Sequence, residues 1–235
     1  LKEMIDKTSF AVSTDETRYN INGFLFEKDT SKIRMVATDG HRLALIEKPD
    51  LKALSAGEKE GVLLPRKGVM EMRKLLDEKK GDFLLGITDK SAVMKKDSTV
   101  ISVRLLEGEF PDYKKVIPKD NEKEVIADRV NLLSSLKRVS ILSSDKIKGV
   151  KFSFSAKKLT VSSSSPDIGE ATEEVDIEYD EGDIEIAFNA KYFIDMLEAT
   201  SEEKVRIFLK DPLSPGIVRP QSTEDYTYII MPMRL

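Results

Sequence analysis

The sequence predicts an α+β protein made of two copies of one domain, each with two helices on one side and antiparallel sheets on the outside. Three observations predict it. Strand-like alternation dominates the chain and is interrupted by only four segments of helical spacing. The order of elements repeats with a period of about 125 residues, far too long for a solenoid. Stretches also match across that period. "GFLFEKDTSKIRMVATD" is similar to "GVKFSFSAKKLTVSSSS", and "GVLLPRKGVMEMRKLL" is similar to "DIEIAFNAKYFIDMLEA".

Taken in order, residues 1–11 have helical spacing, and β-rich runs follow at 19–27, 33–38, 42–48 and 61–65. In 66–79 the apolar residues Val69, Met72, Leu75 and Leu76 fall on one stripe, and Pro65 suits the start of that helix. Strands return at 82–88, 91–95 and 98–106. "EGEFPDYKKVIPKDNEKE", 107–124, has two prolines and many charges and joins the two copies. The expected boundaries are 1–111 and 124–235, with 112–123 as linker. The second copy opens with a strand at 124–130 and a helix at 131–143, and continues with strands at 149–156, 158–164, 172–179 and 182–188. Asn189 suits the N-cap of the helix at 190–200. Strands at 204–210, 216–219 and 225–233 close the chain. Two helices can cover only one face of that much sheet, so alternating polar residues should meet water on the other.

The chain has 235 residues, of which 40% are hydrophobic and 34% charged, which suits two soluble domains. Its apolar runs are too short to span a membrane, and the opening residues "LKEMIDKTSF" have no apolar signal core. The absence of cysteine removes disulfides, thiol nucleophiles and Cys-based zinc sites, and fits a reducing, cytoplasmic setting. Net charge is −4, unevenly spread: residues 1–118 carry 22 basic and 20 acidic residues, whereas 119–235 carry 16 and 22. Overall charge therefore does not mark a nucleic-acid binder.

The only histidine lies in "TDGHRLAL", 38–45. Asp39 and His41 could share a strand face, so a hydrolase using that pair is the alternative to a non-catalytic reading. It would need a nucleophile and an oxyanion hole, and no G-x-S-x-G or glycine-rich phosphate loop is present. The plainer reading is a turn between two strands. "DIEYDEGDIEIA" begins like a calcium loop at Asp176, Glu178 and Asp180, but Gly182 comes one place late and Ala187 stands where glutamate belongs. That acidic stretch, 166–186, reads as a solvated face that keeps a sheet edge from pairing. No metal site or cofactor is expected.

Basic residues sit on the polar sides of the helices: Lys2 on the first, Arg66, Lys67, Arg73 and Lys74 on the second, Lys137 and Arg138 on the third, and Lys191 on the last. Such bases are usually solvation. With the acid concentrated in strands, however, a shared helix side would be basic enough to track phosphates without reading bases. Glu71, Asp195 and Glu198 dilute it. The terminus "YIIMPMRL" is apolar; a strand explains Tyr228 to Met231, but Pro232 ends pairing, so the remainder should lie against something.

"FAVSTDETRYNINGFLFE", "VATDGHRLAL", "LLPRKGVMEMRKLL", "GEFPDYKKVIP" and "YIIMPMRL", in that order, closely resemble the bacterial DNA polymerase III beta subunit family, the sliding clamps. The match covers the family's second and third domains, so the chain is expected to be a fragment that lacks the first. The resemblance implies two clamp-type domains, no catalysis, and a full-length homodimeric ring around double-stranded DNA that gives processivity by topology. It implies a fragment that is itself monomeric. Arg18, Arg66 and Lys67 are the first candidates to face DNA, followed by Lys74, Lys137, Arg138 and Lys191. The resemblance further implies a hydrophobic pocket for short extended peptides of the polymerase III alpha subunit, the clamp loader delta subunit, other polymerases and repair proteins. Its matching residues are Ile21, Thr38, Gly40, His41, Arg42, Leu43 and Pro111, with Lys115, Val116, Ile229, Ile230, Met231, Pro232, Met233 and Arg234. Lys115 stands where the common family pattern has arginine, and offers a point charge in place of a planar donor.

Overall fold

The computed structural model describes residues 1–29, 31–49, 61–78, 81–142, 149–166 and 169–234. Lys79 and Ser143, the expected ends of two helices, and Leu235 lie outside the described residues. The chain divides into two compact units, Leu1–Lys114 and Lys115–Leu235.

The first unit contains α1 (Lys2–Asp6), β1 (Gly23–Lys28), β2 (Lys32–Thr38), β3 (Arg42–Pro49), β4 (Gly61–Pro65), α2 (Arg66–Glu78), β5 (Leu84–Ile87), β6 (Ser91–Lys96) and β7 (Thr99–Arg104). Its strands form two antiparallel sheets, ordered β3-β2-β1-β4 and β5-β6-β7. The second unit contains β8 (Lys123–Asp128), α3 (Arg129–Ser140), β9 (Gly149–Ser155), β10 (Lys158–Ser165), β11 (Gly169–Glu178), β12 (Ile184–Asn189), α4 (Ala190–Ala199), β13 (Lys204–Leu209), β14 (Gly216–Pro220) and β15 (Tyr226–Ile230). Its strand order is β12-β9-β10-β11-β8-β13-β14-β15, antiparallel throughout.

The two orders correspond. In each unit three consecutive strands pair as a meander, and the strand that leads into the next helix crosses to the meander's far edge: β4 beside β1, β12 beside β9. The stretches that match in sequence fall on β1–β2 and β9–β10, and on β4–α2 and β12–α4. After β7, the Leu106 amide donates to the Leu63 carbonyl of β4 at 2.9 Å. After β15, the Met233 amide donates to the Ala187 carbonyl of β12 at 2.8 Å. The position that β8 holds in the second unit has no strand in the first among the described residues.

The core includes three of the four residues of the predicted α2 stripe, with Leu76 half-buried. On α2, Val69, Met72 and Leu75 are buried; on α3, Leu132, Leu136 and Val139; on α4, Phe193, Met196 and Leu197. Phe152, Phe188 and Phe193 form a buried aromatic cluster with ring centroids 4.8 to 5.4 Å apart. Asp128 caps α3 by accepting from the Asn131 amide at 2.8 Å, and Asn189 caps α4 by accepting from the Lys191 amide at 3.0 Å.

Three expectations need correction. The first helix does not run through 1–11. It stops at Asp6, the buried Thr8 hydroxyl donates back to the Met4 carbonyl at 2.7 Å, and a separate 3-10 turn spans Ser9–Ala11. The first strand starts at Gly23 instead of Tyr19, because the Ile21 amide closes a turn on the Arg18 carbonyl at 3.0 Å. The acidic strand β11 is a sheet edge over only part of its length. It pairs with β10 along its length and with β8 at Ile177 and Glu178, and its carboxylates meet bases: Glu174 with Lys158 at 2.7 Å and Glu178 with Lys204 at 2.6 Å.

Helix α2 approaches β7 closely at Gly68. A Cβ there would lie 2.3 Å from Val103 Cγ1 and 2.8 Å from Val103 Cγ2. Valine is stiff at χ1 and cannot swing aside. Gly68→Ala gains about 1 kcal/mol of helix propensity but overpacks the contact by about 1–3 kcal/mol. A net loss of about 1 kcal/mol is expected in urea unfolding, and the double variant with Val103→Ala should remove the clash, visible as a positive coupling in a double-mutant cycle.

Candidate functional site

The turn between β2 and β3 is built around one carboxylate. Asp39 Oδ1 accepts from the amides of His41 (2.9 Å) and Arg42 (3.1 Å), and Oδ2 accepts from Arg42 Nε at 2.9 Å. Thr38 closes it from the other side: its hydroxyl donates to the Arg42 carbonyl at 2.6 Å and accepts from the Gly40 amide at 3.1 Å. Gly40 has φ +91°, a conformation that glycine adopts without strain. The Arg42 guanidinium is 8% exposed, donates to the Phe10 carbonyl and stands 5.4 Å from the Phe10 ring centroid. Arg42 is thereby a structural ion, buried but fully paired. Leu43 is buried behind it, and His41 is exposed at the tip.

This arrangement removes the hydrolase alternative's geometry. Both Asp39 oxygens are engaged by the turn and by Arg42, so the carboxylate does not orient the imidazole. Arg18 joins the same construction: its Nη1 donates to the Asp39 carbonyl at 3.0 Å, and a Cβ on Gly40 would lie 3.1 Å from that nitrogen. The structure thus brings the 18–21 turn, with buried Ile21, to the Thr38–Leu43 turn. Pro111 stands exposed on the segment after β7, in the first unit.

In the second unit, Lys115 is exposed and Val116 half-buried. Ile229 and Ile230 are fully buried on β15, paired with Ile217 and Gly216. Pro232 ends that pairing, as expected, and Met233 then attaches to Ala187, the edge strand of the unit. Met231, Pro232 and Met233 are half-buried, and Arg234 is exposed. The tail is a held segment with an apolar surface.

The expected DNA-facing bases separate into two groups. Lys74 pairs with Glu71 at 2.8 Å, Lys137 with Glu198 at 2.5 Å and Lys191 with Asp195 at 2.9 Å. Arg138 makes two bonds to Glu173, each 2.7 Å; this pairing raises the arginine pKa and lowers that of the glutamate. Arg66 and Lys67, exposed at the start of α2, have no carboxylate partner among the described residues. The Arg66 amide donates to the Asn22 carbonyl at 3.4 Å, which places this pair beside the Arg18 turn. Arg73 is not a surface base: it ties Asp6 of α1 to Asp77 of α2. Phe10 under Arg42 and Ala187 under the tail are contributors that sequence reading missed. Neither spacing nor composition marks a partner some 30 to 46 residues away.

Two similar units, each a helix pair backing antiparallel sheet with bases on the wet helix faces, define a clamp-type protein. Family models agree along nearly the whole chain: the central domain of the DNA polymerase III beta subunit matches residues 1–112, and its C-terminal domain matches 114–234. The chain belongs to the DNA polymerase III beta subunit family, the sliding clamps. The beta sliding clamp of Pseudomonas aeruginosa is 36% identical over 236 residues, covering 100% of this chain and 64% of the relative. The Escherichia coli K12 clamp is 34% identical over 235 residues, covering 100% and 63%. A crystal structure of DNA polymerase III subunit beta from Pseudomonas aeruginosa superposes with a TM-score of 0.95 at 35% identity, over 100% of this chain and 63% of that one. The chain therefore spans less than two-thirds of the length of these relatives. Among the described residues no helix is long and apolar enough to cross a membrane.

Asp39→Ala should unlock the turn. Loss of a carboxylate that bonds two amides and a buried arginine is expected to cost about 2–4 kcal/mol, with faster hydrogen exchange at the His41 and Arg42 amides than in the parent.

Proposed function

We propose that this chain is the middle and C-terminal part of a ring that encircles duplex DNA without reading its sequence, tethers the replicative polymerase to it, and performs no reaction itself. The observation that carries this reading is the end-to-end match of both domains to sliding clamps. Residues 1–111 then serve as the middle clamp domain, 124–235 as the C-terminal domain and 112–123 as their linker, in a cytoplasmic protein that closes as a homodimer when its full length is present. Residues 1–235 by themselves are monomeric.

Arg66 and Lys67 are the leading phosphate-facing residues, with Arg18 contributing while it also braces the turn. The paired bases, Lys74, Lys137, Arg138 and Lys191, add a weaker field. Weak contact suits a ring that must slide. For partners, the Thr38–Leu43 turn with Ile21 and Pro111, and the tail with Lys115 and Val116, take up short apolar peptides of the polymerase III alpha subunit, the clamp loader delta subunit, other polymerases and repair proteins. A clamp from Pseudomonas aeruginosa (35% identity, TM-score 0.94, over 100% of this chain and 63% of that one) has been crystallised bound to griselimycin, which supports a ligand-accepting surface in the family.

Titration with a peptide carrying a leucine-and-aromatic docking core tests the peptide site. Removal of residues 231–235 is expected to weaken binding at least about tenfold, the scale of one lost anchor contact; equal affinity would remove the tail from the site. In a ring-complete protein, Arg66→Glu with Lys67→Glu should reduce retention on circular DNA about tenfold at moderate salt. Lys137→Ala with Lys191→Ala should change it little.

A further inference from the structure

Sulfur in this chain is all thioether: there are eight methionines and no cysteine. The fold treats them unequally. Met4, Met35, Met72, Met94 and Met196 are at most 2% exposed and sit in the cores of their units. Met70 on α2 is half-buried. The remaining two, Met231 and Met233, are half-buried and stand two residues apart in the apolar tail. An oxidant in water reaches a sulfur only where solvent does. The tail therefore holds two of the three methionines open to one.

The backbone keeps this pair in reach of solvent. Ile229 and Ile230 are fully buried, and β15 ends at Ile230. Pro232 biases the residue before it, Met231, to extended backbone. The Met233 amide then donates to the Ala187 carbonyl of β12 at 2.8 Å, an antiparallel bridge that holds Met233 extended as well. Residues two apart on extended backbone project to one side, so Met231 and Met233 share a side and Pro232 takes the other. Fixed at Ile230 on one end and at Ala187 on the other, the stretch is held from turning its thioethers into the core.

We infer that Met231 and Met233 form an oxidation switch on peptide docking: hydrogen peroxide converts them to sulfoxides, and the site releases its peptide until they are reduced. This rests on the peptide-site reading above, in which the tail supplies apolar surface to the docking core. In each oxidation the sulfur attacks one peroxide oxygen. An S–O bond forms, the O–O bond breaks, and the second oxygen leaves as water with both protons. Sulfur gives up two electrons and the peroxide takes them. A thioether fills irregular apolar gaps. A sulfoxide instead carries an acceptor oxygen that water solvates on the free tail and that an apolar peptide leaves unpaired, so covering it is unfavourable. In the return step two thiols become a disulfide and the oxygen leaves as water. The five core thioethers are shielded, so an exposure that reaches the tail leaves the packing of both units alone.

The test uses the full chain, dilute hydrogen peroxide and the synthetic docking-core peptide. Mass mapping should find Met231 and Met233 oxidised before any of the five core methionines. Peptide affinity should then fall about tenfold, the scale of one lost anchor contact, and methionine sulfoxide reductase with dithiothreitol should restore it. Each variant is compared with itself before and after peroxide: Met231→Leu with Met233→Leu should show no fall, and Met70→Leu should fall as the parent does. Resistance of both tail methionines to peroxide, oxidation of both without loss of affinity, a loss that the reductase does not reverse, or a loss that persists in the double leucine variant overturns the switch while the docking site stands. Failure of the untreated chain to bind the peptide removes the docking site, and this inference with it.

Discussion

A helix packed on a sheet keeps one wet face, and that constraint governs where every charge in this molecule can go. The apolar stripes of α2, α3 and α4 are buried, so Arg66, Lys67, Lys137, Arg138 and Lys191 are left on the outward sides of the same helices. Strand alternation does the same for the acids: Val175 and Ile177 are buried on β11 while Glu174, Asp176 and Glu178 face water. Packing thus turns these charges outward without choosing their sign: α2 also carries Glu71 and Asp77, and β13 carries Lys204 and Arg206.

The repeat extends to small details that sequence identity alone would not preserve. Leu63 and Ala187 occupy the same place in their units, two positions before the last residue of β4 and β12, and each accepts one hydrogen bond from the chain returning after the last strand. In the first unit this return leads into the segment that Tyr113 fastens to Glu27; in the second it is the carboxyl tail. One structural device, a segment hooked onto an edge strand after a meander, has therefore been given two surroundings. Where it ends in Met231, Pro232 and Met233 it presents apolar surface; where it continues through Glu107, Glu109 and Asp112 it presents acid.

Much of this was legible in the residues, because the signals were periodic. The helical stripes, the caps at Asn189 and before α2, the two-copy order and the strand end at Pro232 follow from spacing and from backbone rules. What stayed hidden depends on long-range partners. Alternation is the same in an edge strand and an interior one, so β11 could not be placed by pattern. The early end of α1 depends on Thr8 turning back to Met4, a local competition that propensity does not resolve. The "TDGHR" stretch offers an aspartate two residues from a histidine, but in the fold that carboxylate is committed to Arg42, which also reaches Phe10, 32 residues away.

The division between paired and unpaired bases sets what it costs each of them to meet an anion. Each base that meets a phosphate releases counterions and adds to salt-sensitive affinity. A lysine already held by a glutamate must first leave it, and at exposed positions that bond is worth roughly 0.2–1 kcal/mol. Lys74, Lys137, Arg138 and Lys191 are therefore available to another anion only at the cost of leaving their carboxylates. Arg66 and Lys67 have no such carboxylate among the described residues, so an anion could meet them without that cost.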